Sequence, residues 1–422
     1  MRRTPLAFVA LLVLCTVQAQ DPATITARAR QYLDTLTSPD FHGRGYVNNG
    51  QGIAAEWIAK QYARIGLKPV KDDFFQPFQF NVNSFPDSIG VRIDGRTLVP
   101  GTEYLVDPSS GRAEGSYDLV HLTPADLFSP ERKAMSMGVV AGKAACLHWP
   151  KTSNADSLRR FRELEADLMH YGPVVKVQPG KLTWSVSQEA LPFPLVEVSA
   201  AAITDSSASI DLHVRNRMLA RNPARNVLGM VKGKGKGWVV VSAHYDHLGM
   251  MGPDALFPGA NDNASGVAML LSLADWFAQH PPKQNILFAA FAGEEAGLVG
   301  SEWCAVDRPI DWSAVKLMVN LDILGTGDDG ITVVNSTAQQ AHFDRLVALN
   351  TEKGYLKEVK PRGPACNSDH CPFVKRNVPA VFIYTLGGVA HYHDVRDEAE
   401  TLPLTEFADL HALLREFIAT TK

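Results

Sequence analysis

After its first twenty residues the 422-residue chain has no long apolar run, so no later segment is expected to span a membrane. It lacks a basic stripe, and its formal net charge is -4, which excludes a nucleic-acid-binding role. The single lysine run, Lys232, Lys234 and Lys236, alternates with glycine and reads as a solvated hairpin tip. Those glycines fall at 233, 235 and 237, which is not the GxGxxG spacing of a phosphate loop. Cysteine is scarce, with five residues and no CxxC pair, so a thiolate zinc site is not expected. No internal repeat is visible.

What is present begins with an export signal. Arg2 and Arg3 precede an apolar run over 6–17, too short to cross a bilayer, and Val17-Gln18-Ala19 offers small residues for cleavage after Ala19. Cys15 follows Leu14, too bulky for a lipoprotein signal, so the expectation is a soluble exported protein, periplasmic or extracellular. In such a compartment disulfides persist. Cys366 and Cys371 are near enough in sequence to close a small loop, the alternative being two free buried thiols; no pairing is expected of Cys146 or Cys304.

Helical periodicity predicts helices over 24–36 and 51–65, the second stopped by Gly66-Leu67-Lys68-Pro69. Between about 78 and 214 short alternating runs split by Gly, Pro and Ser predict a β-rich module, interrupted by a charged helix over 157–168. This module shows no cluster of His and carboxylate in the sequence, and His148 and His170 read as surface or packing residues. From 226 onward apolar strands over 238–243, 285–291, 316–321 and 380–385 alternate with helices over 267–277, 341–353 and 406–420. The expected fold is α/β: a mixed central sheet with helices on both faces, plus the β-rich insert.

Chemistry gathers after those strands. The first ends in His244, followed by Asp246 and His247; the second leads to Glu294 and Glu295; the third to Asp322; the fourth to a loop with His391 and His393. Asp262 stands just before a helix. Sites in open α/β sheets form outside the carboxyl ends of strands. Four carboxylates crowded there repel one another, and no Lys or Arg adjoins these strand ends. Divalent metal resolves the conflict, with imidazole and carboxylate suiting zinc, and less specifically manganese or cobalt.

The segments AHYDHLG at 243–249, GANDNASG at 259–266, FAGEEAGLVGS at 291–301, NLDILG at 320–325, SDHCPF at 368–373 and YHDVRD at 392–397 closely resemble the M28 family of co-catalytic zinc aminopeptidases. The stretch 43–69, with its Gly43-Arg44 pair, resembles that family's N-terminal portion. The resemblance implies a zinc-peptidase fold and two zinc ions: His244 and Asp322 on one, Glu295 and His393 on the other, Asp262 bridging. Glu294 would be the general base and Asp246 would hydrogen-bond His244 to fix its tautomer; His247 and His391 would not be ligands. Asp397 would be a supporting residue, and Ser368, Asp369 and His370 would shape the substrate pocket. GKAACL at 142–147 and LPFPLVEVS at 191–199 make the insert similar to a protease-associated domain. The implied organisation is a signal peptide over 1–19, catalytic segments over 20–80 and 216–422, and the insert over 81–215. Where many relatives have YHTPSD this chain has YHDVRD, which places Asp394 and Arg396 where they could alter specificity. The implied activity is removal of N-terminal residues from peptides, without a membrane anchor. Glutaminyl cyclisation or carboxypeptidase action are the alternatives on the same fold; a binding protein on a dead scaffold is disfavoured because all five ligands are retained.

Overall fold

The computed structural model describes residues 21–422; the signal segment and Cys15 lie outside the described residues. No helix among the described residues is long and apolar enough to cross a membrane. The core is a large mixed sheet whose four central strands are parallel, in the order Asn285–Phe291, Trp238–His244, Val315–Leu321, Ala380–Thr385. Arg217–Val231 runs antiparallel along one side of this group and Ile331–Val334 along the other. From Val239 to His244 every side chain is buried, because a central parallel strand has helices on both faces. That is why it reads as an unbroken apolar run rather than an alternating one.

On one face Ser265–Gln279 packs between the sheet and the helices Pro22–Leu36, Gly50–Ile65 and Phe407–Ala419. It is apolar nearly all round because it has neighbours on all sides. The opposite face is covered by Val299–Asp307 and the short helix Cys371–Val374, through Cys304, Trp312 and Phe373. Cys366 and Cys371 are joined as a disulfide, with Cα atoms 5.0 Å apart.

The lysine–glycine run is not a hairpin tip. Asn285–Phe291 lies between the strands that flank it, so the loop must cross that strand's entry. Its backbone bonds there, Lys234 N–H to Pro282 O and Gly235 N–H to Lys283 O. The glycines are needed because a Cβ at Gly233 would meet Gln284 O at 2.2 Å.

A second, eight-stranded sheet is built entirely from strands between Gly90 and Val214, with Ala113–Leu122, Ala144–Leu147, Val174–Gln178 and Leu195–Ser199 parallel at its centre. A helix not anticipated from sequence, Pro130–Val140, joins Ala155–Leu168 beside it. A long antiparallel ribbon, Phe75–Ser84 with Arg217–Val231, ties the two sheets together and runs through the boundary expected at 80/81. The second sheet's core also takes in Leu248, Met251, Ala255 and Phe257 from the loop just past His244.

Candidate metal centre

The strand Trp238–His244 has its partners on opposite sides, Asn285–Phe291 on one and Val315–Leu321 on the other. The crevice opened by such a reversal lies at the strands' carboxyl ends. His244, Glu294, Asp322 and Asp262 all line a cleft of about 320 Å³ there, together with Ile323, Arg362, Phe382, Tyr384 and Tyr392.

Two donor sets share one carboxylate. His244 Nε2 lies 3.3 Å from Asp262 Oδ1 and 3.3 Å from Asp322 Oδ1. His393 Nε2 lies 3.2 Å from Asp262 Oδ2 and 3.2 Å from Glu295 Oε2. Ligands at the usual zinc distances in a tetrahedron are separated by about 3.3 Å. His393 Nε2 is buried and satisfies hydrogen-bond geometry with neither neighbour. Such a nitrogen is aimed at a point between the oxygens. The donor set therefore fits a cation of zinc's size at either oxygen of Asp262.

The imidazoles are oriented from behind. His244 Nδ1–H donates to the carbonyl of Asp246 at 3.1 Å, and His393 Nδ1–H to the carbonyl of Trp184 at 2.7 Å. A carbonyl only accepts, so each ring presents Nε2 to the carboxylates. The expected contact of Asp246 with His244 is thus made by its backbone. Its carboxylate, with Oδ1 3.9 Å from His244 Nδ1, accepts the amides of Glu294 and Glu295 at 3.2 and 3.3 Å. Asp246 fixes the position of the two glutamates as well as the ring.

The charges show how much cation the cluster needs. Burial pushes Glu294 well above the usual carboxylate range. Burial also opposes ionisation of Asp262 and Glu295, but the imidazoles outweigh it and hold Asp262 well below its ordinary value and Glu295 at about 2. Burial works against a charged His393, yet Glu295 and Asp262 raise it to about 11. His244 is raised likewise, by Asp322 and Glu294 against burial. Protons on two buried rings stand in for the positive charge that crowded carboxylates demand.

Several supporting residues carried little or no signal in the sequence. Arg44 is fully buried and donates to four carbonyls, those of Leu36, Tyr245, Pro258 and Gly259. Burial lowers its pKa to about 10. It locks the entry to Asp262 against the end of the His244 strand, and only its place in the Gly43-Arg44 pair pointed to it. Gly45 and Gly249 pack backbone to backbone; a Cβ on Gly45 would lie 2.4 Å from Gly249 Cα. Asp397 accepts the amides of Asn261 and Asp262 at 2.9 and 3.0 Å. His247 stands with its ring within 4.8 Å of the Asp262 and Glu295 donor atoms and holds Glu295, with Nδ1–H to Oε1 at 2.8 Å. A neighbour three residues from a metal-type His, on the same buried turn, was the available signal.

Two expectations about the pocket need correction. Ser368, Asp369 and His370 do not line it: they are buried behind the ligands. Ser368 Oγ–H donates to Asp322 Oδ2 at 3.0 Å, and Asn367 is the neighbour that reaches the cleft. Asp394 and Arg396 do not face it either. The Asp394 carboxylate is engaged by Lys181 and Arg396, each at 3.3 Å. Lys181 also donates to the carbonyls of Ala390 and Tyr392, both at 2.8 Å. The charged departure in this motif fastens the second sheet to the His393 loop.

Residues 226–418 match the model of peptidase family M28. A probable zinc metalloprotease of Pyrenophora teres f. teres is 42% identical over 216 residues, covering 40% of this chain and 44% of that protein. A probable leucine aminopeptidase of Arthroderma otae is 32% identical over 166 residues, covering 38% of this chain and 46% of that one. The chain thus spans less than half the length of these curated relatives. Among solved structures, a zinc aminopeptidase from Bacillus subtilis superposes with a TM-score of 0.70 at 20% identity over 93% of both chains. A peptidase M28 precursor from Shewanella amazonensis gives 0.71 at 16% identity over 95% of both. At these identities the likeness establishes the fold.

Proposed function

Residues 226–418 belong to peptidase family M28, and on that premise we propose that the chain is an exported dizinc aminopeptidase that releases N-terminal residues from peptides. The observation that carries this reading is Asp262, whose two oxygens each lie 3.2–3.3 Å from a different imidazole. His244 and Asp322 would hold one ion, Glu295 and His393 the other, with Asp262 bridging; manganese or cobalt would fit the same donors. When bound, the ions make water a nucleophile near neutral pH and polarise the peptide carbonyl.

The chain's own residues supply the rest. Glu294 faces the cleft with its amide anchored on Asp246, and its buried, basic carboxylate takes the water's proton and returns it to the leaving amine. Ile323, Phe382, Tyr384 and Tyr392 give the cleft apolar walls, and Arg362, which donates to Tyr384 Oη at 3.2 Å, adds a positive edge. The joined Cys366–Cys371 pair supports an exported setting. The sheet over 90–214 acts as a protease-associated-like unit that shades the cleft, supported by its bonds to the His393 loop.

The test is Glu294→Gln with metal content and turnover measured together. Turnover on aminoacyl substrates is expected to fall roughly 10²- to 10⁴-fold with zinc retained. Full activity in that variant would remove the base. A wild-type enzyme that cyclises Gln-initial peptides, or trims only carboxyl ends, would replace the aminopeptidase reading.

A further inference from the structure

A second group of metal-type donors stands in the inserted sheet, where no chemistry was expected. Ala113–Leu122 and Ala144–Leu147 run parallel, with His121 opposite Cys146. His148 follows Cys146 by two residues, so the strand alternation returns it to the same side. His148 N–H donates to Leu122 O, which carries the pairing one residue past the strand's end. The result is a convergence: His121 Nδ1 lies 2.8 Å from His148 Nε2, and Cys146 Sγ lies 3.6 Å from that same nitrogen.

We propose that His121, Cys146 and His148 form a non-catalytic metal site that takes one thiophilic d10 cation, zinc(II) or copper(I), through two imidazole nitrogens and a thiolate. His121 Nε2–H donates to the carbonyl of Ser207 at 2.7 Å, which leaves Nδ1 with its lone pair turned inward. His148 has its outer nitrogen 3.6 Å from Asp205, a carboxylate that is 96% exposed and free to close on it. An inner nitrogen aimed at a shared point and an outer one backed by a carbonyl or carboxylate is how metal-binding histidines are held. At usual bond lengths a tetrahedral zinc separates nitrogen from thiolate sulfur by about 3.5 Å and nitrogen from nitrogen by about 3.3 Å. The sulfur is already at that spacing from His148 Nε2; the rings need to part by about half an ångström.

Without a cation the rings satisfy each other by one hydrogen bond and stack, centroids 5.1 Å apart. Burial holds the Cys146 thiol protonated, pushing it up to about 12, and keeps His148 below its usual value. Binding expels the thiol proton to solvent and moves the His148 proton to the nitrogen facing Asp205. His148 is half-buried, so an ion has a way in, and the fourth position is left to water or Asp205.

The experiment uses the full chain in wild-type, Cys146→Ser and His148→Ala forms, each dialysed with zinc and then counted for metal. Wild type is expected to hold one ion per chain more than either variant. Cobalt loading should add a thiolate-to-metal charge-transfer band that Cys146→Ser lacks, while the zinc-loaded variants keep the aminopeptidase turnover of the zinc-loaded wild type. Titration with copper(I) under reductant, against a competing chelator, separates the two cations. Equal ion counts in all three proteins, with no thiolate band and no copper(I) uptake, would overturn the site. Should Cys146→Ser fail to fold, the half-exposed His148→Ala and the wild-type cobalt spectrum decide alone.

Discussion

In the large sheet the chemical groups sit where strands give out: His244 ends its strand, Asp322 follows Leu321, Glu294 comes three residues after Phe291, and His393 lies in a loop beyond Thr385. In the inserted sheet His121 and Cys146 stand inside paired strands and His148 one residue past. The first cluster is crowded with carboxylates and has to be scaffolded by Arg44, Asp246, Asp397 and the carbonyl of Trp184. The second is made of two imidazoles and a thiol whose placement follows from strand register. A site that gathers carboxylates at loop ends needs a frame around it; one that gathers imidazole and thiol along a ladder is framed by the ladder.

The contrast can be broken by removing parts of the frame. Arg44→Ala strips the donors from four buried carbonyls and should cost about 3–5 kcal/mol in denaturant unfolding, with zinc lost as well. Arg44→Lys keeps the charge but not the planar fork and should recover less than half of it. The inserted cluster is held by strand register and the Ser207 carbonyl, neither of which involves Arg44, so its cobalt band should outlast the catalytic ions in any Arg44 variant that still folds.

His411 sharpens the comparison, being a buried imidazole outside both clusters with neither ring nitrogen hydrogen-bonded. Burial lowers it to about 4, below the 6.5 of an unfolded histidine. Between those values the unfolded chain binds a proton that the folded one refuses. Stability is therefore full above about pH 6.5 and falls by up to about 3 kcal/mol as pH drops to 4. His411→Leu should remove that part of the acid sensitivity, read as a shallower fall in urea stability from pH 7 to pH 5.

Smaller effects follow at the outer supports. Asp397→Asn weakens the hold on the amides of Asn261 and Asp262 and should loosen metal binding about 10- to 100-fold in chelator competition. Lys181→Met should change stability by no more than about 1 kcal/mol, because that side chain is one-third exposed.

The sheet was legible in the sequence because its strands are apolar on both faces and each leads, at its end or in the loop beyond, to His, Asp or Glu. Asn285–Phe291 and Ala380–Thr385 begin and end where their apolar runs do. The inserted cluster was not legible, since His121 and Cys146 are brought together by a strand pairing that leaves no mark in a single sequence. Arg44 was visible only as half of a Gly-Arg pair, because its worth lies in four carbonyls far apart in the chain. The lysine–glycine loop misled for a similar reason: its turn chemistry is real, but a strand arriving fifty residues later lies between its flanks.

The exchange between Trp184 and His393 has a further consequence. The two residues bond each other twice, Trp184 N–H to His393 O and the ring Nδ1–H of His393 to Trp184 O, while the Trp184 indole stacks on Phe257 at 4.7 Å. The inserted unit is therefore no detachable visor. Excising it, or nicking the polypeptide around residue 184, takes away the rear anchor of His393, so damage inflicted on the accessory part would register first as leakage of an ion.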